Sequence, residues 1–280
     1  MAKVFLNDKL VDAADAAIPY NDSGFLYGMG LFETMRCSGG KVFRIEDHVQ
    51  RLFASAKALS IIHTYDKKQI VEAVSGLLEA NGLSDARLRL TLTNGPPRPE
   101  GETNATLLIT ATDFVPYPAE YYDNGVRVVL TDARQNAMDP LSGHKSTCYA
   151  SRLLVLNAAH RKLAAEALWF TTDNRLAEGC ISNVFIVKDG VVLTPALSAG
   201  VLPGIARKTV CELAAAAGVA FEEKDITIHD LLGAQEVFLT NVVMLILPVV
   251  AVEAHTVGTG KPGAVTKRLL KMFNEYIAAQ

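Results

Sequence analysis

The sequence predicts an α+β protein of two domains, and three features of the chain carry this prediction. Two segments with apolar residues at helical spacing, 45–60 and 66–82, are followed by alternating strand patterns. A polar, proline-containing stretch at 115–120 then has the composition of a linker. Helical and hairpin patterns succeed one another in the rest of the chain. We therefore predict a small N-terminal domain, residues 1–117, and a larger C-terminal domain, residues 118–280.

The amino-acid composition argues against two kinds of binding partner, nucleic acid and metal ions. The 280 residues are 50% hydrophobic and 20% charged, and the net charge is −3. No run of Lys and Arg is long enough to follow a phosphate backbone, so we expect no nucleic-acid partner. The four cysteines form no CxxC pair and the six histidines form no zinc motif. Reduced thiols and the absence of a metal site are therefore predicted.

The sequence also argues against a membrane span or a secretion signal. The N-terminus lacks a basic segment followed by an apolar one. The most apolar stretch, 237–252, is interrupted by Thr240, Asn241 and Pro248, whereas a span needs about 20 apolar residues. We interpret this stretch as buried strand and expect a cytoplasmic protein.

Turn and capping signals locate the elements of the N-terminal domain. Asn7-Asp8 between two apolar runs predicts a hairpin. Asp66 and Gln69 predict a capping box at the start of a helix, and Gly82 predicts its end. Periodicity gives the remaining elements, which are a strand up to Arg36, a helix over 45–60, strands around 88–92 and 105–111, and the turn-rich loop 94–101.

The C-terminal domain is interpreted in the same way. Asp189-Gly190 between apolar runs is a strong hairpin signal. The polar stretch 143–149 is expected to open a helix that buries four apolar side chains, Leu153, Leu154, Leu156 and Ala159. The other predicted elements are strands over 126–131 and 167–172, a helix from 205 to Gly218, one buried strand over 237–252 that bends at Thr240-Asn241, and a final helix over 262–277.

Lys145 is the strongest candidate for covalent chemistry. It stands in Gly143-His144-Lys145-Ser146-Thr147-Cys148-Tyr149, which the sequence places at the mouth of a helix. An amine among small hydroxylic residues and an aromatic hydroxyl can form an imine with a carbonyl group where burial favours the neutral amine. The alternative, for any single lysine, is a solvated surface charge.

Four further residues suggest an anion and a carboxylate site. Glu178 lies in a small-residue turn, which is an unusual place for a solvated carboxylate. The amides of Ile205 and Ala206 begin a helix and would bind an anion there, although an ordinary helix start has the same pattern. Arg51 is either a surface ion pair or a forked donor to a phosphate.

The substrate side is suggested by two segments of the N-terminal domain. Tyr27, Phe32 and Arg36 would supply two aromatic surfaces and a cation, or they simply pack at a turn before a strand. Arg98 stands in the loop 94–101 and would either meet a carboxylate or remain solvated.

Six motifs then occur in order along nearly the whole chain: YGxGLFETxR, HxQRL, HKS, EGxxSNVF, LPGIxR and xNxxxxxxPV. In these the chain resembles the class IV aminotransferases, the fold-type IV enzymes that use pyridoxal 5'-phosphate. That group includes branched-chain and D-amino acid aminotransferases, R-selective amine transaminases and aminodeoxychorismate lyases. The resemblance implies a small N-terminal α/β domain, a larger C-terminal α/β domain with a pseudo-barrel sheet, and a homodimer with a shared pocket.

The resemblance also implies a role for each motif residue. Lys145 would form the internal aldimine and move protons, and Glu178 would face the pyridine nitrogen. The other implied cofactor contacts are Arg51, Tyr149, Ser182, Asn183, Leu202, Ile205, Ala206, Thr240 and Asn241. The implied substrate contacts are Tyr27, Phe32, Arg36 and Arg98.

The implied reaction moves an amino group from an amino acid or amine to a 2-oxo acid in a ping-pong cycle. Three departures keep an alternative open. Cys148 stands where branched-chain and D-amino acid enzymes usually have Asn, Ala206 where they tend to have Thr, and Asn241 resembles the aminodeoxychorismate lyases. The alternative is a lyase that forms 4-aminobenzoate and pyruvate. A loss of catalysis is disfavoured because Lys145 and Glu178 are both present.

Overall fold

The structure is a computed structural model that describes residues 2–97 and 104–280, so Arg98 lies outside the described residues. The chain forms two compact units. One consists of residues 1–115, 144–149 and 280, and the other of residues 116–143 and 150–279. In the described parts of the chain, no helix has the length and apolarity needed to cross a membrane.

The first unit contains a six-stranded sheet in the order β2-β1-β6-β5-β3-β4. Its strands are β1 (Lys3–Leu6), β2 (Lys9–Asp12), β3 (Gly30–Ser38), β4 (Lys41–Val42), β5 (Ala86–Thr93) and β6 (Thr106–Asp113). All the pairings in this sheet are antiparallel. Its helices are α1 (Ser23–Tyr27), α2 (Ile45–Ala58) and α3 (Lys67–Asn81).

Helices α2 and α3 cover one face of this sheet because each has an apolar stripe. Leu52 of α2 and Leu77 of α3 are buried in the same core as Leu88 and Leu90 of β5. The capping box predicted for α3 is confirmed: Asp66 accepts the N–H of Gln69, and the Gln69 side chain accepts the N–H of Asp66. The hairpin at residues 7–8 is also confirmed.

The second unit contains a nine-stranded sheet. Eight strands follow the order β12-β11-β10-β13-β14-β7-β8-β9, and β15 pairs with β14. The strands are β7 (Val126–Gln135), β8 (Glu166–Thr171), β9 (Leu176–Gly179), β10 (Asn183–Lys188), β11 (Val191–Pro195), β12 (Phe221–Lys224), β13 (Glu236–Asn241), β14 (Leu245–Val252) and β15 (His255–Thr256). The helices are α4 (Ala119–Asn124), α5 (Ala150–Arg161), α6 (Ile205–Ala216), α7 (Ile228–Leu232) and α8 (Ala264–Ala278). This mixture of helices and sheets agrees with the α+β prediction.

Two predictions about the second unit are wrong. Leu153 and Leu154 of α5 are 47% and 69% exposed, whereas Leu156 and Ala159 are buried as expected. The spacing of apolar residues predicts a helix with an apolar face, but it does not predict which of those residues pack against the rest of the chain. The stretch 237–252 is a hairpin of β13 and β14 rather than one bent strand, because Asn241 accepts the backbone N–H groups of the turn between them.

The structure also differs from the sequence interpretation around the two main candidate residues. Lys145 does not open a helix, since α5 begins at Ala150. Residues 144–149 belong by their contacts to the first unit, although the sequence assigns them to the second domain. The reason is a backbone pairing with β3. Glu178 lies on strand β9 rather than in a turn, and it is buried.

Candidate active site

Lys145 is held by the start of β3. The N–H of Phe32 donates to the carbonyl of Lys145 and the N–H of Thr147 donates to the carbonyl of Gly30, both at 2.8 Å. Ser146 and Leu31 form the antiparallel bridge between these bonds. The other side of this part of β3 is paired with β5, so the Lys145 segment adds to the sheet as a short extra strand. The position of the amine is therefore fixed by the first unit's sheet.

Aromatic rings surround this amine. Its Nζ lies 4.2 Å from the ring centroid of Phe32 and 5.8 Å from that of Tyr149. The two rings meet edge to face with centroids 5.2 Å apart. The guanidinium carbon of Arg89 lies 4.0 Å from the Phe32 centroid. These four residues, called here the Lys145 site, combine an amine, an apolar wall and a second cation.

A buried charged triad lies on the opposite face of β3. Glu33 accepts hydrogen bonds from Nε and Nη2 of Arg51 at 2.8 and 2.5 Å, and from Nδ1 of His48 at 2.7 Å. Burial acts to raise the pKa of Glu33, but the Arg51 guanidinium and the His48 hydrogen bond outweigh it and hold the pKa at about 2. The triad locks the part of β3 next to Phe32 onto helix α2.

The second unit contains a buried network centred on Glu178. Arg152 donates to Glu178 at 2.6 Å, and the backbone N–H of Leu202 donates to its other oxygen at 2.9 Å. The Asn183 amide lies 3.4 Å from the same oxygen and donates to the Leu202 carbonyl at 2.9 Å. Arg152 also donates to Gln135 at 3.0 Å, and beside this network Ser182 donates to Glu166 at 2.8 Å. We call the network and this adjacent pair the Glu178 cluster: Gln135, Arg152, Glu166, Glu178, Ser182 and Asn183.

The start of α6 leaves backbone donors available. Gly204 caps the helix without a side-chain hydrogen bond. Ile205 and Ala206 are 5% and 2% exposed, and their N–H groups donate to no residue in the described ranges. Thr240, which pairs in register with Asn183, is 1% exposed, and its hydroxyl has no partner among the described residues. Buried backbone donors at the positive end of a helix fit an anion, and the Thr240 hydroxyl is a further buried polar group of this unit.

Comparison with known proteins gives a consistent answer. Residues 30–252 match the family model of amino-transferase class IV. The chain belongs to this family. A putative branched-chain-amino-acid aminotransferase of Methanocaldococcus jannaschii is 34% identical over 98% of this chain and 96% of its own. A D-alanine aminotransferase of Listeria monocytogenes is 29% identical over 98% and 96% of the two chains.

The solved structures agree with this assignment. The branched-chain amino acid aminotransferase of Escherichia coli superimposes with a TM-score of 0.93 at 29% identity, covering 98% of this chain and 94% of that one. The predicted fold-type IV architecture is thereby confirmed. This class IV aminotransferase depends on pyridoxal 5'-phosphate, as its family does.

The residues present fit that cofactor. It needs an amine for its aldehyde, donors for its phosphate and a carboxylate for its ring nitrogen. Lys145, with its fixed backbone, can supply the amine. The amides of Ile205 and Ala206, which donate to nothing within the described residues, and the Thr240 hydroxyl can supply donors to an anion, and Glu178 is a buried carboxylate. When bound, the cofactor supplies a ring that takes up the electron pair released at the amino acid's Cα.

Other predicted cofactor contacts are engaged within the protein. Ser182 donates to Glu166 at 2.8 Å, and the Asn183 amide is used by Glu178 and Leu202. Asn241 organises the β13–β14 turn and donates to the Ile181 carbonyl. Two of the three guanidinium nitrogens of Arg51 bond Glu33. Each of these motif residues therefore makes structural contacts within its own unit.

The predicted substrate residues do not all come together. Phe32 belongs to the Lys145 site, whereas Tyr27 is 71% exposed on α1. The guanidinium carbon of Arg36 lies 4.3 Å from the ring centroid of Phe114. Sequence reasoning missed Arg89, although period-2 alternation places it on the same face of the sheet as Phe32 and Arg36. It also missed Glu33, His48, Arg152 and Glu166.

Proposed function

We propose that this enzyme transfers the amino group of an apolar amino acid to a 2-oxo acid in a ping-pong cycle, with Lys145 as the amine. The observation that carries the proposal is the Lys145 site itself. Its Nζ lies 4.2 Å from the centroid of the buried Phe32 ring, on a segment fixed to β3 by backbone hydrogen bonds. In the reaction, Nζ of Lys145 would take a proton from the Cα of the amino donor in the first half-reaction and give a proton to the Cα of the new amino acid in the second.

The substrate class follows from the walls of this site. Phe32 and Tyr149 offer apolar surface to a side chain, and Arg89 offers a cation to a carboxylate. The 34% identity to a putative branched-chain enzyme supports an aliphatic substrate. Because other relatives are D-alanine aminotransferases, the L or D configuration of the substrate is to be determined by experiment. Arg36 and Arg98 remain proposed carboxylate contacts.

The roles of the remaining residues are proposals of the same kind. Glu178 would hold the proton on the ring nitrogen, and Leu202 would pack on a ring face. The amides of Ile205 and Ala206, with Thr240, would hold the phosphate. Further phosphate or ring contacts are proposed for Arg51, Tyr149, Ser182, Asn183 and Asn241. The two domains, 1–117 and 118–280, would carry the substrate side and most of the cofactor contacts.

We also propose a homodimer in the cytoplasm. Helix α1 has no buried residue, and Phe25 and Tyr27 are 76% and 71% exposed. Leu154 of α5 is 69% exposed. Solvent-exposed apolar side chains of this kind favour an interface with a second copy of the chain.

The cysteines carry free thiols, which favours a reducing compartment.

The deciding experiment mixes the cofactor-loaded enzyme with separate L- and D-amino acids, an R-amine and aminodeoxychorismate, and follows the visible spectrum. We expect one enantiomer of an aliphatic amino acid to bleach the cofactor band, and a 2-oxo acid to restore it. Release of pyruvate and 4-aminobenzoate from aminodeoxychorismate, without a half-reaction from any amino acid, would establish the lyase instead. The relatives named above are aminotransferases, which favours transamination over the lyase.

A variant tests the assignment of the amine. Lys145→Ala should lose the visible band of the loaded enzyme and the half-reaction. Lys162→Ala, an exposed lysine after α5, is the matched control and should keep both. Persistence of the band in Lys145→Ala would show that another amine holds the cofactor.

A further inference from the structure

Glu166 is a buried carboxyl group that the proposed reaction does not use. It begins strand β8 and is 1% exposed. One oxygen accepts the N–H of Ile181 at 2.6 Å and the other accepts the hydroxyl of Ser182 at 2.8 Å. Both donors are uncharged, and within residues 2–97 and 104–280 Glu166 forms no ion pair. Burial of a carboxylate in such a place is costly, whereas burial of a hydrogen-bonded neutral acid costs much less.

The charged groups around Glu166 also favour its neutral form. The groups that face it are Arg152 of α5, Glu178 of β9 and the thiol of Cys180. Arg152 ion-pairs with Glu178 at 2.6 Å, so this cation is already matched by one carboxylate. Burial raises the pKa of Glu166 to about 7, and Glu178 adds to the rise, against the two hydrogen bonds and Arg152. The Cys180 thiol has a pKa of about 11, so it stays neutral where Glu166 titrates.

The contacts of Glu166 also fix a turn. The chain between Glu178 and Asn183 makes a tight loop in which the N–H of Gly179 donates to the carbonyl of Ser182 at 2.8 Å. A Cβ on Gly179 would lie 2.3 Å from the Glu166 carboxyl oxygen and 2.4 Å from the Ser182 hydroxyl. The carboxyl group therefore packs directly against the inside of this loop. Glu178 and Asn183, at its two ends, both bond the backbone of Leu202.

From this geometry we propose that Glu166 is a positioning residue that works as a neutral acid. In its protonated form it holds the 179–182 loop in place and leaves Glu178, the partner of Arg152, as the only carboxylate anion of the Glu178 cluster. The consequence for the cofactor rests on the proposed function. A ring nitrogen that binds at Glu178 would then face a single carboxylate, which the loop holds in a fixed position. The protonation of Glu166 can be tested in the enzyme without cofactor.

The test uses the enzyme without cofactor and compares it with Glu166→Gln. An amide keeps the acceptor for the Ile181 N–H, and the Ser182 hydroxyl can rotate to accept from the amide nitrogen. The variant thus imitates the protonated acid at every pH. Urea unfolding midpoints are measured for both proteins at intervals from pH 4.5 to pH 8.

The expected result follows from proton linkage. A carboxyl with a folded pKa of about 7 and an unfolded value near 4.5 keeps its proton in the folded state only, so its contribution to stability is lost as pH rises between these values. The midpoint of the parent enzyme should fall relative to that of Glu166→Gln across this window and then level off. A difference that is constant with pH, or that moves the other way, would overturn the proposal.

Two further measurements keep the test decisive. Glu166→Leu lacks both the titration and the hydrogen bonds, so it should show the same pH trend as Glu166→Gln with an additional constant loss. If neither variant folds, infrared difference spectra of the parent enzyme should show a buried protonated carboxyl band that disappears as pH rises through about 7. Absence of that band at pH 6 would overturn the proposal, whatever the outcome of the substrate experiments.

Discussion

Glu33 in the first unit and Glu166 in the second are both 1% exposed, yet the pKa of Glu33 is held at about 2 and that of Glu166 is raised to about 7. Burial acts to raise both. The difference is the charge of the partners: Glu33 is bonded by the Arg51 guanidinium and by His48, whereas Glu166 is bonded by an amide and a hydroxyl. Partner charge, rather than depth, decides which buried carboxyl in this enzyme is an anion.

Removal of the positive charge beside Glu33 should destabilise the enzyme most. Arg51→Met leaves a buried carboxyl without its charged partner and should lower the free energy of unfolding by about 3–5 kcal/mol. The measurement is urea unfolding of the cofactor-free enzyme at pH 7. Arg175→Met, which removes a cation from exposed pairs with Asp173 and Asp225, is the matched control and should cost much less. Equal losses would mean that the buried charge pair contributes no more to stability than the exposed ones.

The pH dependence of Glu33 should run opposite to that of Glu166. Its folded pKa lies below the unfolded value of 4.5, so its contribution to stability is present above pH 4.5 and is lost as pH falls through about 2. At 1.36 kcal/mol for each pKa unit, this contribution is on the order of 3 kcal/mol. Glu33→Gln should lack that part of the acid destabilisation between pH 5 and pH 2, measured by urea unfolding. Identical slopes in parent and variant would show that Glu33 is not the group responsible.

Much of this architecture is local and could therefore be predicted. Asp66 and Gln69 announce the start of α3, and Asp189-Gly190 announces a hairpin. These signals depend on neighbours in the chain. The pairing of Lys145 with β3 depends on backbone groups far apart in sequence, and no side-chain pattern specifies it. The sequence motif thus identified Lys145 as the amine, but its position beside β3 could not be predicted.

The same reasoning applies to the two glutamates. Glu33 alternates with Leu31 and Met35 on one face of β3, so period-2 alternation placed an acid on an apolar face and could have indicated a buried ion pair. Glu166 stands at the edge of the apolar run 167–170, where a boundary residue is normally solvated. Only the packing of the 179–182 loop over it shows that it is buried.

A smaller effect tests the space around Glu166. Gly179→Ala would place a methyl group 2.3 Å from the Glu166 oxygen and push the carboxyl away from Ile181. We expect a loss of about 1–3 kcal/mol in the free energy of unfolding. Gly76→Ala in α3 is the control: its new Cβ would meet nothing within 4 Å, and the substitution should stabilise the helix by up to about 1 kcal/mol. A tolerated Gly179→Ala would mean that the loop does not need the Glu166 contact.

Loss of one uncharged hydrogen bond to Glu166 should have a small effect. Ser182→Ala removes one of the two donors of Glu166 and should lower the free energy of unfolding by about 1 kcal/mol. The lost hydrogen bond had lowered the pKa of Glu166, so its midpoint should move further up in the infrared titration of the cofactor-free variant. Ser75→Ala, which removes an exposed hydroxyl that bonds the Val71 carbonyl, is the control and should leave that titration unchanged. A downward shift in Ser182→Ala would mean that the hydroxyl stabilises the neutral acid rather than the anion.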